Sequence, residues 1–415
     1  MAYNAKIARN IKPLFEYRNE AWKCIRCGMC RMTHPDFLQS HKYSDCCPRN
    51  IKHMFESYAG TGTQEIVRAL TCDPPEIEID DYLKKVIFTC TICGNCQEIC
   101  NAIKDLEPAN AMMALRNYIV KKEGPMPAHQ TLIQSILNYD NPWLSPRAAR
   151  GRWAKRLRDV NIKDASKEKV KVLFFVGCNE SYVSDLIPVA ETAARVLSLA
   201  GVDFGILGAK ERCCGSTALR TGAVDMFEKY RQENIEMLNG LGIQTMVTAC
   251  SGCHSTFAHN YAGDLKFEIL HVVEFLDRLI EEGDINFEKE LPIVATYHDP
   301  CHIGRYSQIF DPPRRVIQSI PGVKFKEMER IRQYSLCCGC GGGVKTAYPD
   351  LAMETANLRL DEARDVTGAD TIVSCCPFCE NNLGDAAKSR EDHKFRVVDI
   401  MQLVAESMGF EKGKD

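Results

Sequence analysis

Cys90, Cys93, Cys96 and Cys100 are spaced Cys-x2-Cys-x2-Cys-x3-Cys. With that spacing a tight loop offers three thiolates to one four-iron cube and sends the fourth to a second cluster. Cys24, Cys27 and Cys30 repeat the first three positions. Three thiols within seven residues, twice over, suit iron–sulfur cubes better than single tetrahedral zinc ions. The first set departs from the pattern where a cysteine before proline is expected: His34-Pro35 stands there, and Cys46-Cys47-Pro48 follows. Cys47 is preferred as the fourth ligand because it precedes a proline. His34 and Cys46 are the alternatives, imidazole also being a ligand of cluster iron. Crossed ligation groups Cys24, Cys27 and Cys30 with Cys100, and Cys90, Cys93 and Cys96 with Cys47. Two neighbouring cubane clusters with no substrate loop between them make an electron wire. Cys72, in TCDPP, has no partner spacing and is expected as a small buried apolar residue.

The remaining cysteines of the 22 follow a second pattern, and it occurs twice. Cys178, Cys213, Cys214, Cys250 and Cys253 recur as Cys301, Cys337, Cys338, Cys376 and Cys379. The flanks agree: AGVDF at 200–204 with PGVKF at 321–325, and GIQTMVTACSGC at 242–253 with GADTIVSCCPFC at 368–379. A period of about 124 residues is too long for a solenoid unit and marks a duplicated domain. Five thiols exceed the four that zinc takes. Vicinal cysteines such as Cys213-Cys214 fit different irons of a larger cluster better than two corners of one tetrahedron. Cys340 and Cys375 are extra thiols beside these positions, and inert packing is the preferred reading of both. His254 and His302 each follow a cysteine of the set, and His298 precedes Cys301 by three residues. Each can donate a hydrogen bond to sulfur or a proton to a departing thiolate. For His302 that reading stands level with a ring satisfied by backbone; for His254 and His298 the backbone-satisfied ring is preferred.

The elements that position these residues change character along the chain. Residues 1–122 carry helix-like stretches (2–21, 50–70 and 109–122) between the cysteine groups. Residues 123–169 form a connector with Pro125, Pro127, Pro142 and Pro146, then Arg147, Arg150, Arg152, Lys155, Arg156 and Arg158, a solvated or interdomain helix or a docking surface for an acidic partner. From residue 170 strands alternate with helices: VKVLFFVG at 170–177 and TMVTA at 245–249 read as strands, and VAETAARVLSLAG at 189–201 as a helix with a glycine stop. That alternation predicts an α/β fold with mostly parallel, covered sheets, one for residues 170–285 and a second for 286–415. Cys178, Cys250, Cys301 and Cys376 each follow a strand, where open α/β sheets bind ligands and helix N-termini favour thiolates.

Composition narrows the classes further. With 45% hydrophobic and 26% charged residues the chain is neither disordered nor collagen-like. Its 52 basic and 55 acidic residues leave a net charge of −3, no field for nucleic acid. The longest apolar runs are too short to cross a bilayer, and MAYNAKIARNIKPLFE lacks a signal core. A cytoplasmic chain with reduced thiols is expected, reaching a membrane only through a partner.

The two copies resemble the cysteine-rich (Cys-Cys-Gly) domains of heterodisulfide reductase catalytic subunits. Tyr-His-Asp-Pro-Cys-His at 297–302 and Cys-Cys-Gly-Cys-Gly-Gly-Gly at 337–343 carry the likeness most strongly. With the helical, ferredoxin-like region in front, the layout is similar to the fused subunit of the membrane-linked reductases and to the iron–sulfur subunits of glycolate and lactate oxidases. The resemblance implies two cubane clusters in the first domain and one noncubane four-iron cluster in each cysteine quintet. It also implies a disulfide substrate held between the noncubane clusters and cleaved by one electron from each side. Glycines 341–343 are expected to let backbone approach a ligand closely. A flavoprotein, ferredoxin-like or cytochrome partner is expected in a hetero-oligomer, since no nucleotide-binding fingerprint is present. The rival reading is a relay subunit that passes electrons between a flavoprotein dehydrogenase and a quinone or cytochrome.

Overall fold

The computed structural model describes residues 9–32, 41–101 and 103–410. His34 and Pro35 lie outside these. The first part is helical. Gly60–Thr71, Asp81–Phe88 and Pro108–Glu123 pack around Val67, Val86, Ile87 and Met112. Asp80 starts the middle helix by accepting the Leu83 N–H at 2.7 Å, and Pro108 starts the third, where its missing N–H costs nothing. The helix-like stretch at 50–70 divides, because Met54 turns left-handed (φ 51°) and ends Pro48–His53. Cys72 is half-buried, with Sγ 3.4 Å from Glu76, rather than a core residue.

Two parallel sheets follow. In the first, β1 (Lys163–Asp164), β2 (Val172–Phe174), β3 (Phe204–Ile206), β4 (Thr245–Thr248) and β5 (Glu268–His271) lie in the order β1-β3-β2-β4-β5. In the second, β6 (Val294–Tyr297), β7 (Lys324–Phe325), β8 (Thr371–Ser374) and β9 (Arg396–Asp399) lie in the order β7-β6-β8-β9. The orders coincide once β1 is set aside. The central strands VLF and TIVS are buried throughout, as apolar and β-branched strands covered on both faces must be. In each sheet the chain runs from the first long strand to one side and then returns to the other. The switch point therefore falls between β2 and β4, and again between β6 and β8.

The copies share one apolar core. Phe174, Val247 and Leu270 belong to the same cluster as Ala295, Tyr297, Val373 and Val398. Helices cross over reciprocally: Ile187–Leu199 packs on Ile400–Ser407, and Val272–Glu282 on Asp311–Ser319. Ser251 Oγ, from the first copy, donates to the Cys375 carbonyl of the second at 2.9 Å. The basic stretch after Pro146 is folded onto the first sheet. Trp153 is buried in the shared core, while Arg152, Lys155 and Arg158 stay exposed. Arg150 is buried, which suits an interdomain segment and not a solvated or docking face.

The helical part is locked to both sheets. Arg116 donates to the Ile87 and Cys90 carbonyls of its own domain, to Arg220 O of the first copy and to Gly342 O of the second. Glycines 341–343 serve this junction. A Cβ at Gly341 would meet Thr91 O at 2.7 Å, one at Gly342 would meet Cys90 O at 2.8 Å, and one at Gly343 would strike the His129 ring. Gly341 and Gly342 thus approach the helical domain's cysteine loop and Gly343 the His129 ring, while all three also line a cavity beside the second copy's cysteines.

Candidate iron–sulfur centres

In the helical domain, Cys24, Cys27, Cys30 and Cys100 line one cavity, and Cys47, Cys90, Cys93 and Cys96 line another. Gly60 borders both; a Cβ there would lie 2.9 Å from Cys96 Cβ and 3.0 Å from Cys30 Sγ. Cys46 is buried and lines neither cavity; its sulfur accepts from Asn95 Nδ2 at 2.6 Å. Cys27 is exposed, so the first cavity reaches the surface. Burial pushes the Cys30, Cys47 and Cys100 thiols up to about 11. Thiolates there need positive charge beside them.

The two quintets are built alike. The thiols neighbour one another in the order Cys178–Cys213–Cys214–Cys253–Cys250 in the first copy. The second copy runs Cys301–Cys337–Cys338–Cys379–Cys376. The Gly215 N–H reaches Cys213 Sγ at 3.4 Å, and the Gly339 N–H reaches Cys337 Sγ at 3.4 Å. Cys178, Cys250 and Cys376 stand at helix N-termini, after β2, β4 and β8, where unpaired backbone N–H groups favour thiolate. Cys214 and Cys338 are both held below the ordinary thiol range, first by the preceding cysteine and then by Cys253 or Cys379. The second quintet abuts the helical domain, for Cys93 lies beside Cys337 and its carbonyl accepts from Arg305 Nε at 2.8 Å.

A cavity of ≈330 Å³ opens on the second quintet, lined by Cys301, Cys337, Cys338, Cys376 and Cys379 and, across it, by Ser216, Arg220, Trp143 and Leu186. Cys340 lines this cavity too, whereas Cys375 lies outside it, with Sγ 2.8 Å from Tyr297 Oη. His302 is in the wall, with Nδ1 3.2 Å from Arg220 Nη2. Because a guanidinium only donates, Nδ1 accepts and Nε2 carries the proton of the neutral ring. Burial, then the charge of Arg220, holds the His302 pKa well below the imidazole range, so it acts as a hydrogen-bond donor and not as a cation. His254 faces Ser307 and Glu274, as a core histidine does. His298, for which backbone satisfaction was expected, instead groups with Cys338 and Cys379: one of its ring nitrogens and both sulfurs lie within 4.8 Å of one another.

The chemistry of the surroundings tests whether clusters fit these thiols. Arg49, Arg116, Arg220 and Arg305 are buried, and among the described residues none of them pairs with a carboxylate. Arg49 lies beside Cys47, Cys90 and Cys96, Arg220 beside Cys214, Cys250 and Cys301, and Arg305 beside Cys93, Cys301 and Cys337. Arg150 donates to Cys178 Sγ at 3.1 Å and is braced by Glu211 at 3.0 Å. Buried cations persist only where anions face them, and thiolate-ligated clusters are such anions. The donor set fits. The arginines carry no spacing signal, so sequence reading passed over their role; only Arg150 was singled out, and for another reason.

Paired four-thiol cavities leading to two five-cysteine groups at strand ends define an iron–sulfur oxidoreductase. The model of the cysteine-rich domain family matches residues 172–258 and 295–384. The chain is 37% identical over 404 residues to one subunit of the dihydromethanophenazine:CoB–CoM heterodisulfide reductase of Methanosarcina mazei, covering 94% of each protein. It is 33% identical over 359 residues to the probable iron-sulfur-binding oxidoreductase FadF of Bacillus subtilis, covering 84% of this chain and 50% of that one. With the EtfAB:quinone oxidoreductase of Syntrophomonas wolfei the identity is 27% over 418 residues, or 93% of this chain and 58% of the other. The chain belongs to the family of that heterodisulfide reductase subunit.

Proposed function

We propose that this chain reduces, or in reverse forms, a disulfide in the cavity between its two cysteine-rich copies. Electrons would reach it from a redox partner through the helical domain. The ligand sets are Cys24, Cys27, Cys30 with Cys100 and Cys90, Cys93, Cys96 with Cys47 for two cubane clusters, and the two quintets for noncubane ones. When bound, these clusters supply one-electron transfer and sulfur-seeking iron. The observation that carries the reading is the position of Cys337: on one side it touches Cys93, on the other it lines the ≈330 Å³ cavity.

The balance is RSSR′ + 2e⁻ + 2H⁺ → RSH + R′SH: the S–S bond breaks, and the partner supplies both electrons. Arg220 stabilises sulfur that is becoming thiolate, and His302 offers its Nε2–H to it. Apolar Trp143, Leu186 and Phe378 narrow the access of water. No helix among the described residues is long and apolar enough to cross a membrane. A flavoprotein, ferredoxin-like or cytochrome partner in a hetero-oligomer supplies or removes the electrons, and any membrane is met through that partner.

The test is anaerobic turnover of small disulfides with a reduced viologen. The chain with its clusters consumes disulfide, and Cys338→Ser abolishes this. The similarity to a quinone oxidoreductase supports one rival, a relay that consumes no disulfide. Passage of electrons from a reduced flavoprotein to a quinone, undiminished in Cys338→Ser and with no disulfide consumed, favours the relay and defeats the disulfide reading.

A further inference from the structure

His298 sits at the end of β6, fully buried. Its Nδ1 accepts from Arg359 Nε at 3.3 Å. Arg359 is itself fixed by Glu362 at 2.7 Å, and Glu362 also binds Arg330. A guanidinium has no lone pair to offer, so a neutral ring must carry its single proton on Nε2. That Nε2–H has no partner among the described residues. A buried donor left unpaired is destabilising, so an acceptor is due there. One ring nitrogen of His298 and the sulfurs of Cys338 and Cys379 lie within 4.8 Å of one another, and with Nδ1 taken by Arg359 these sulfurs are the acceptors available to Nε2–H.

We propose that His298, through Nε2–H, donates a hydrogen bond to a sulfur of the cluster held by the second quintet and thereby raises that cluster's reduction potential. The inference rests on the cluster assignment above and goes beyond it by making the two copies unequal. At the matching position, three residues before Cys178, the first copy has Phe175. Phe175 is buried in one apolar group with Cys214, Cys250 and Cys253 and meets Phe257 edge-on at 4.9 Å, so it offers its quintet no donor. The arginines do not make this distinction, since each copy has one beside its first cysteine, Arg150 at Cys178 and Arg305 at Cys301. Donors to cluster sulfur stabilise the added electron and lift the potential. A role for His298 as an iron ligand conflicts with the geometry. Ligation by Nε2 would put the proton on Nδ1, against the N–H of Arg359.

The test uses the full chain, purified anaerobically with its clusters, and His298→Phe, which installs the first copy's residue. An EPR-monitored redox titration reads each cluster, and iron and sulfide are counted beside it. Expected are unchanged iron, a lower midpoint for one noncubane signal, and a reduced-to-oxidised ratio at fixed potential down about tenfold, equivalent to about 59 mV for one electron. His298→Gln, which keeps an N–H near Nε2, restores most of the shift. Electron–nuclear double resonance in D₂O shows an exchangeable deuteron at that cluster in the wild type and in His298→Gln. Should His298→Phe fail to fold, this signal in the wild type still decides. An unshifted midpoint with full iron, or no coupled deuteron, overturns the inference alone. Loss of one cluster's iron from both variants makes His298 a ligand and overturns it too. A wild type lacking noncubane clusters defeats the underlying assignment as well.

Discussion

Thiols are only half of each centre; the other half is guanidinium. Arg49 donates to the Val86 and Ala59 carbonyls and to Thr63, which leaves its charge for the thiolates of Cys47, Cys90 and Cys96. Arg49→Met should therefore lower that cubane's potential and hasten its loss of iron in air, measured by EPR titration and timed iron release; an unaltered potential would remove the charge-balance argument. The choice between adjacent thiols is equally sharp. Cys47 lines the cavity with Cys90, Cys93 and Cys96, while Cys46 is occupied by Asn95. Cys47→Ala should lose or convert one cubane, with Cys46→Ala keeping the full iron count. The opposite result would return the role to Cys46.

The helices after the last strand of each sheet begin alike. His271 and Glu274 form a capping box for Val272–Glu282, and Asp399 and Gln402 do the same for Ile400–Ser407. These are the helices that cross between copies, so the caps hold the shared core as well as one element. Burial raises Asp399 from 3.8 to about 7. The native chain therefore keeps a proton that the unfolded chain releases above about pH 4. This contribution to stability is complete at lower pH and is lost as pH rises through about 7. Asp399→Asn keeps the capping oxygen and abolishes the titration. Its thermal midpoint relative to the wild type should rise between about pH 5 and pH 8. A difference independent of pH would mean that Asp399 is already ionised in the native state.

Across the whole molecule, Arg116 joins three bodies through four carbonyls. Arg116→Met removes this donor from the Cys90, Arg220 and Gly342 carbonyls, at about 1–3 kcal/mol each when no water reaches them, whereas Ile87 O keeps the Cys90 N–H. Looser docking should appear as a lower thermal midpoint and as slower electron passage from the helical domain to the quintets, followed by stopped-flow EPR. Cys93→Ser acts at the same junction by removing the thiol that touches Cys337. It should stop turnover driven by a protein partner while a small chemical reductant still serves the cavity; equal loss with both donors would place Cys93 within the reaction site. The proposed two cubane and two noncubane clusters would amount to about sixteen irons per chain. Stoichiometric zinc with little sulfide would contradict this count.

Spacing along the chain was enough to find the chemistry, because ligands on one loop or at one strand end are local. Cys90 to Cys100, the vicinal pairs and the repeat from Cys178 to Cys301 are such cases, and the β–α alternation placed Cys178, Cys250 and Cys376 at the carboxyl ends of parallel strands. What lies across the fold leaves no such trace. Arg150 comes from outside the repeat to meet Cys178, Arg116 reaches both copies, and glycines 341–343, which line the cavity, also receive Cys90, Thr91 and His129. His298 and Phe175 occupy equivalent positions, and sequence alone cannot say that one faces Cys338 and Cys379 with an unpaired N–H. These features depend on which buried charges and donors meet once distant segments are packed together. Charge burial is settled by three-dimensional packing, and neighbouring residues in the chain do not encode it.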